Sequence, residues 1–342
     1  MIKAGIIGAT GYTGSELVRL LYRHPEVDIT AITSESRKGE AFSAVHGQFR
    51  GLIDHTLQSA DDLPSNLDIV FLALPHGVSM EYVEKYEQEG FRIVDLSGDF
   101  RLSSPEVYQS WYGKPHTYSQ GFGKAVYGLP ELHKKAIGEA QLVANPGCYP
   151  TSAILGLAPL VHHQLIDQNQ IIIDSKSGLT GAGIKANATT HFSNVNDNFK
   201  AYALKSHRHT VEIEEQLSGQ STGGITVQFT PHLLPVDRGI LSTIYATPLQ
   251  PISEEQLRKT YVDFYRHQPF VRLCDQPPSL KEVRGSNYCD LFVTYDERTQ
   301  RIIVVAVIDN LVKGAAGQAV HNMNLMFGLE ETTGLKIIPL KP

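Results

Sequence analysis

Apolar residues in the first part of the chain fall into short runs that alternate with amphipathic stretches. Ile2 to Ile7 has the length of a strand and breaks at once into Gly8-Ala9-Thr10-Gly11-Tyr12-Thr13-Gly14. Ser15 to Tyr22 then places Leu17, Val18, Leu20 and Leu21 at helical spacing, until His24-Pro25 stops the pattern. Val27 to Thr33 reads as a second strand, Leu67 to Leu74 as a buried strand, Ser79 to Glu89 as a helix and Arg92 to Leu96 as a further strand. Strand, turn, helix and strand in regular succession predict an α/β fold: a Rossmann-type, doubly wound parallel sheet covered by helices.

The pattern changes after Asn145. A helix is expected over about Thr151 to Val161, followed by strands at Gln170 to Ser175, Thr226 to Leu234, Leu241 to Thr247 and Ile302 to Ile308. Their alternation and β-branched content predict an α+β domain built on a mostly antiparallel sheet. Glu254 to His267 reads as a helix with Ser253 as its N-cap. Gly314 to Phe327, rich in small residues and Asn, reads as a last helix that returns to the first domain. The expected division is residues 1–147 plus 313–342 for the first domain, and 148–312 for the second.

At 342 residues the chain is long enough for two such cores. Lys and Arg number 30 against 36 Asp and Glu, a net charge of −6, which argues against a nucleic-acid partner held on a broad basic face. The longest aliphatic run, Ile302 to Ile308, is far short of the ~20 residues that span a bilayer. The first residues do not read as a signal peptide either. Three cysteines without CxxC spacing predict free thiols in a reducing compartment and no metal site. A cytoplasmic enzyme with a small-molecule substrate, no nucleic acid and no membrane is the expectation.

The glycine turn follows a strand and opens a helix. That is the setting in which a tight turn and helix amides cradle a pyrophosphate. An NAD enzyme carries Asp or Glu roughly 20 residues further on, against the ribose 2′-hydroxyl. Here that stretch is Ser34-Glu35-Ser36-Arg37-Lys38, whose hydroxyls and cations suit a 2′-phosphate, so NADP (NADPH) is the expected cofactor. Glu35 is read as pointing into solvent.

Cys148 lies in Asn145-Pro146-Gly147-Cys148-Tyr149-Pro150-Thr151, just ahead of a predicted helix, with Pro150 at a first-turn position. A helix N-terminus stabilises a thiolate and presents amides to a developing oxyanion, to which Asn145 is expected to add a side-chain donor. Cys274 and Cys289 lack this setting. A thiol nucleophile beside NADP suggests a thioester that exchanges hydride at its acyl carbon. Acid/base candidates then come from Lys205-Ser206-His207-Arg208-His209, with Glu212 one helical turn beyond His209.

These residues belong to motifs that run the length of the chain. They are GATGYTGSELVRLL near the start, LALPHG at 72–77, DLSGDFRL at 95–102, YGLPEL at 127–132, NPGCYPTS at 145–152, DSKSGLTGAG at 174–183, HRHTVEIEEQL at 207–217, TPHLLPVDRGIL at 230–241 and DNLVKGAAGQAVHNMN at 309–324. In them the chain resembles the N-acetyl-gamma-glutamyl-phosphate reductases, and its length the longer of that family's two subtypes. The resemblance implies NADPH-dependent reduction of N-acetyl-L-glutamyl 5-phosphate to the semialdehyde and phosphate, the third step of arginine biosynthesis. It implies Cys148 as nucleophile and His209 as acid/base. Gly8, Gly11, Thr13 and Gly14 would meet the pyrophosphate, Ser34 and Arg37 the adenosine phosphate, and Pro75, His76 and Gly77 the cofactor cleft. Ser177, Gly178, Asn310 and Gly314 complete the cofactor side; Arg101, Asn145, His207 and Arg208 fall to the substrate. A homotetramer is implied as well. Alternative readings are a carrier-protein-linked aminoacyl-phosphate reductase of lysine biosynthesis, which should be more basic at its substrate mouth, and an NADP-sensing regulator without chemistry.

Overall fold

The computed structural model describes residues 1–341 and divides into two compact units, Met1–Pro146 with Ala315–Lys336, and Gly147–Gly314 with the tail from Ile337 onward. In the first unit the chain runs β1 (Ile2–Ile7), α1 (Tyr12–Leu21), β2 (Val27–Ile32), α2 (Phe42–Val45), β3 (Ile69–Leu72), α3 (Ser79–Gln88), β4 (Arg92–Asp95), α4 (Pro105–Tyr112), β5 (Val126–Tyr127), α5 (Pro130–Glu139) and β6 (Leu142–Ala144). The six strands form one parallel sheet in the order β2-β1-β3-β4-β6-β5. β1 and β3 are neighbours, yet the chain visits β2 on the far side of β1 between them. Strand order therefore reverses at their carboxyl ends, where a parallel sheet opens a crevice for a ligand. β3 is buried along its whole length, which explains why Ile69-Val70-Phe71-Leu72 shows no alternation.

The second unit contains α6 (Cys148–His162), β7 (Ile166–Gly178), α7 (Phe192–Val195), β8 (Lys200–Ala201), α8 (His209–Ser218), β9 (Val227–Leu234), β10 (Ile240–Pro248), α9 (Glu254–Tyr265), β11 (Val271–Leu273), β12 (Cys289–Asp296) and β13 (Arg301–Ile308). Its seven-stranded sheet has the order β11-β12-β13-β10-β7-β9-β8, with parallel pairing only for β11/β12 and β7/β9. α6 packs on β7, β10 and β13 and is in turn covered by α8 and α9. Every residue from Tyr149 to Val161 is buried, so this helix is apolar all round rather than amphipathic. Tyr261 of α9 donates its hydroxyl to the Gly156 carbonyl at 2.6 Å, inside that packing. The expected Ser253 cap is present as a capping box with Gln256. On the uncovered side of the sheet, Ile172 and Tyr245 stand opposite one another in register and are exposed.

Two expectations change. The last helix does not open at Gly314: a π-helical turn over Val312–Ala316 comes first, followed by α10 (Gly317–Met326) in the first unit. The tail also does not stay wholly with that unit. The Leu340 amide donates to the Arg284 carbonyl at 2.9 Å, and Lys341 pairs with Glu282 at 3.2 Å, so the end of the chain packs on the second unit.

α10 is tied into its own unit by polar side chains. Asn324 Oδ1 accepts from His24 at 2.9 Å, and Asn322 donates to the Gly128 carbonyl at 2.9 Å. His321 donates to Glu331 at 3.0 Å, and Lys134 pairs with the same carboxylate. The His321 hydrogen bond is the main reason the Glu331 carboxyl lies at about 2 rather than its ordinary 4.5. A folded value below the unfolded one stabilises fully above the unfolded value and is lost as pH falls toward the folded one. The latch should therefore weaken between about pH 4.5 and about pH 2, and Glu331→Gln should flatten that limb of the acid-unfolding curve. An unchanged limb in a urea-midpoint-versus-pH series would count against the latch.

Candidate active site

In the first unit the glycine turn lies at the reversal of strand order. Gly8 has φ +82°, and a Cβ there would stand 2.5 Å from the Ala73 carbonyl oxygen at the end of β3. A Cβ on Gly14 would collide with Gly8 and Ala9, so the helix sits down on the turn itself. Gly11 is the N-cap of α1, contributes no side-chain cap, and would meet nothing nearer than 3.7 Å. No acidic residue occupies the first turn, which contains Thr13. Tight turn, open approach and close helix packing are the three tasks the glycines of a dinucleotide site perform, and the residues present fit a pyrophosphate.

Ser34 follows β2 and its Oγ is 3.0 Å from Thr10 Oγ1, linking the end of that strand to the glycine turn. Arg37 is half-exposed and pairs with Glu40 at 3.2 Å. Lys38 pairs with Asp62 at 2.8 Å. Glu35 is exposed, but its carboxylate is not left to solvent alone. Its carboxylate accepts from the Ala60 amide at 2.8 Å and the Ser59 hydroxyl at 3.1 Å, which turns its charge toward a neighbouring loop. Pro75, His76 and Gly77 follow β3. The Gly77 and Ser79 amides donate to the buried Asp99 carboxylate at 2.8 and 3.2 Å, and Gly98 donates to His76 Nδ1 at 2.7 Å. Tyr108 adds its hydroxyl to Asp99 at 2.9 Å. Burial, with Asp99 beside it, pushes the Asp95 carboxyl up to about 6.

Arg101 and Asn145 are likewise built into this unit. The Arg101 guanidinium donates to the Asn145 and Leu96 carbonyls at 2.7 and 2.8 Å. Asn145 donates its side-chain amide to the Ala315 carbonyl at 3.1 Å and accepts from Asn322 at 3.0 Å. One of the two side-chain N–H groups of Asn145, the expected oxyanion donor, is thus used to hold the start of α10's segment, as a fully buried amide needs internal partners. Arg101, expected to meet the substrate, is buried and gives Nε and Nη2 to these backbone carbonyls.

In the second unit Cys148 is the first residue of α6, with Gly147 as N-cap and no acidic residue in the first turn. Pro150 stands in that first turn, where a missing amide costs no helical hydrogen bond. The rest of the helix is immobilised in the core, so a thiol at its end is held on a rigid support. Glu212, fully buried in the first turn of α8, accepts the Gly147 amide at 2.7 Å. It fixes the backbone just before Cys148. Gly314 closes in from the π-helical turn: a Cβ there would be 2.8 Å from Cys148 Cβ. The Gly314 amide bonds back to the Asp309 carbonyl at 2.9 Å.

Asn310 and the buried Asp309 hold this wall. Asn310 accepts the Gly239 amide at 2.7 Å and donates to Thr180 at 3.0 Å; Asp309 accepts the Gly285 amide at 2.7 Å and pairs with Arg238 at 3.1 Å. Ser177 and Gly178 end β7, where Ser177 donates to the Gly178 carbonyl at 2.9 Å. His209 is the first residue of α8 and follows Arg208, its N-cap. Its ring stands 5.9 Å from that of Tyr149, the residue after Cys148. His207, expected on the substrate, has both nitrogens engaged inside the protein: Nδ1 accepts the His209 amide at 3.1 Å and Nε2 lies 3.3 Å from the Tyr202 hydroxyl. Tyr149, Tyr202, Asp99 and Asp309 were not singled out from the sequence. Tyr149 had a signal in its place beside Cys148; Tyr202, in a segment without periodicity, had none.

Among the described residues no group of three or more His, Cys, Asp or Glu could hold a metal ion, and no helix is long and apolar enough to cross a membrane.

Comparison with known proteins divides the chain in two. Residues 3–140 match the semialdehyde dehydrogenase NAD binding domain, and 148–310 the semialdehyde dehydrogenase dimerisation domain. Over full length the chain is 50% identical to the N-acetyl-gamma-glutamyl-phosphate reductase of Desulforudis audaxviator, covering 100% of both. It is 51% identical to that of Pelotomaculum thermopropionicum, over 98% of this chain and 97% of that one. Among solved structures it is similar to aspartate semialdehyde dehydrogenase II from Vibrio cholerae, with a TM-score of 0.74 at 18% identity over 96% of this chain and 98% of that one. The NADP-bound aspartate semialdehyde dehydrogenase of Candida albicans gives a TM-score of 0.67 at 17% identity, over 96% of this chain and 98% of that one. At these identities the solved structures show the fold alone.

Proposed function

Since the chain belongs to the N-acetyl-gamma-glutamyl-phosphate reductase family, we propose that it reduces N-acetyl-L-glutamyl 5-phosphate to N-acetyl-L-glutamate 5-semialdehyde in arginine biosynthesis, with Cys148 as the nucleophile. The observation that carries this assignment is the place of Cys148: first residue of a buried helix, no carboxylate in its first turn, and Glu212 fixing the preceding amide. The helix N-terminus favours thiolate. The thiolate sulfur attacks the acyl carbon, the carbon–oxygen bond to phosphate breaks, and a thioester remains on Cys148. When bound, NADPH supplies the hydride that reduces this acyl carbon. As the carbonyl oxygen gains charge, His209 donates a proton to it and the α6 amides face it. His209 takes the proton back as the carbon–sulfur bond breaks, which frees aldehyde and restores thiolate.

NADP is assigned over NAD because Ser34 and Arg37 stand at the end of β2 while the carboxylate of Glu35 is committed to Ser59 and Ala60. Gly11, Thr13 and Gly14 hold the pyrophosphate on this reading, and Pro75 to Gly77, fixed by Asp99, line the nicotinamide end. We assign a cytoplasmic location and a homotetramer. The uncovered sheet face with Ile172 and Tyr245, and exposed Ile184, Phe192, Phe199 and Leu204, are apolar surface suited to subunit contacts.

The test is the reverse reaction: phosphate-dependent reduction of NADP with N-acetylglutamate semialdehyde and aspartate semialdehyde compared. Turnover only with the latter would overturn the substrate. Arg37→Ala should raise KM for NADP by about 10- to 100-fold, the worth of one charge-assisted phosphate contact, and leave that for NAD within about 2-fold. Equal losses with both cofactors would remove the basis for the NADP assignment.

A further inference from the structure

Between β7 and α8 the chain makes a long irregular excursion that ends in a hydrogen-bonded chain of side chains. Tyr202 lies just past β8 and its amide donates to the Pro231 carbonyl at 3.1 Å. Ala203 and Lys205, with φ of 46° and 62°, then take left-handed backbone, which costs of order 1 kcal/mol or more for a residue with a side chain. The excursion is thereby steered back to place His207 two residues before α8.

The donors along the chain all face one way. His207 Nδ1 accepts the His209 amide, so the imidazole proton lies on Nε2 and points to the Tyr202 oxygen at 3.3 Å. Tyr202 donates to the Tyr149 oxygen at 3.3 Å, and Tyr149 donates to the His232 carbonyl of β9 at 3.0 Å. The rings pack edge to face: Tyr149 and His207 have centroids 5.6 Å apart, and His207 and Phe229 5.4 Å. Burial, with Arg208 adding to it, lowers the His207 value to about 4, so the imidazole is neutral at working pH and keeps one tautomer.

α8 has no side-chain cap from Arg208, its N-cap residue. His207 Nδ1 does that work for the first helical amide, which belongs to His209. We infer that Tyr202 and His207 are positioning residues, whose hydrogen-bonded chain holds the first turn of α8 and the first turn of α6 in one geometry and so sets His209 for its work at Cys148. The inference rests on the roles proposed above for those two residues. It gives His207 a task inside the protein rather than on the substrate.

The experiment compares Tyr202→Phe, His207→Ala and His207→Asn with wild type in phosphate-dependent NADP reduction, with a thermal melt to confirm folding. Tyr202→Phe should lower kcat by about 10-fold and leave both KM values within about 2-fold, since a catalytic group displaced by an ångström loses rate rather than binding. His207→Ala should lose about 100-fold in kcat, and His207→Asn, whose Oδ1 can accept the His209 amide, should recover to within about 5-fold of wild type. A raised semialdehyde KM at unchanged kcat would assign these residues to the substrate and overturn the inference. So would an Asn variant no better than Ala, or a Tyr202→Phe enzyme with wild-type kcat. If Tyr202→Phe does not fold, the two His207 variants decide. Absence of wild-type turnover would instead overturn the proposed function, so the two failures are distinguishable.

Discussion

Replacing Cys148 with serine is expected to abolish turnover, by at least about 10³-fold, or ~4 kcal/mol of barrier, while leaving NADPH binding intact. A helix N-terminus favours the thiolate form of a cysteine, whereas a serine hydroxyl in the same place stays protonated and there is no acyl-enzyme to reduce. Binding survives on this reading because the glycine turn lies in the other folding unit and owes nothing to the thiol. Cofactor fluorescence and steady-state turnover, measured on one preparation, separate the two. The remaining cysteines are the controls. Cys289 is buried in β12, and burial, with Asp290 adding, pushes the Cys274 thiol up to about 11. Cys274→Ser and Cys289→Ser should stay active. Wild-type turnover in Cys148→Ser would end the covalent mechanism.

His209→Asn should lower kcat by about 10²- to 10⁴-fold, the range for loss of a general acid/base. Asn at the first position of α8 keeps the backbone amide that His207 holds, so the helix start survives and only the titrating group goes. The contrast with His207→Asn is therefore sharp: the same substitution two residues apart should be nearly silent in one place and severe in the other. The rate of Cys148 alkylation gives a second readout, and it should change with His209→Asn. If kcat survives His209→Asn, the proton must move through another group and the assignment of His209 fails.

The sequence carried those parts of the site that depend on local order. A glycine turn between strand and helix, or a cysteine at the start of an apolar helix, is a matter of neighbours a few residues apart, and both could be read directly. Val27–Ile32 and Arg301–Ile308 were visible because β-branched runs leave few other options. Partners distant in sequence were not visible. Glu212 was placed correctly one turn beyond His209, but nothing local says that its carboxylate holds Gly147, 65 residues earlier. The partners of Asn145 and Arg101 are hidden for the same reason: a buried polar group is satisfied by whatever the fold brings to it, here Ala315, Asn322 and Leu96. The turn at 312–316 is not visible because nothing in Val312-Lys313-Gly314-Ala315-Ala316 distinguishes a π-helical turn from an α-helical one.

The approach of Gly314 to Cys148 bears on when a growing chain becomes an enzyme. Gly314 stands 314 − 148 = 166 residues after the cysteine whose side it closes, and the sheet unit that begins at the first residue waits for Ala315–Lys336 to supply α10. Translation delivers Cys148 well before both finishing pieces. A chain still on the ribosome thus carries a thiol without its wall and a nucleotide fold without its last helix. Neither unit can close until residues 314–336 have been made.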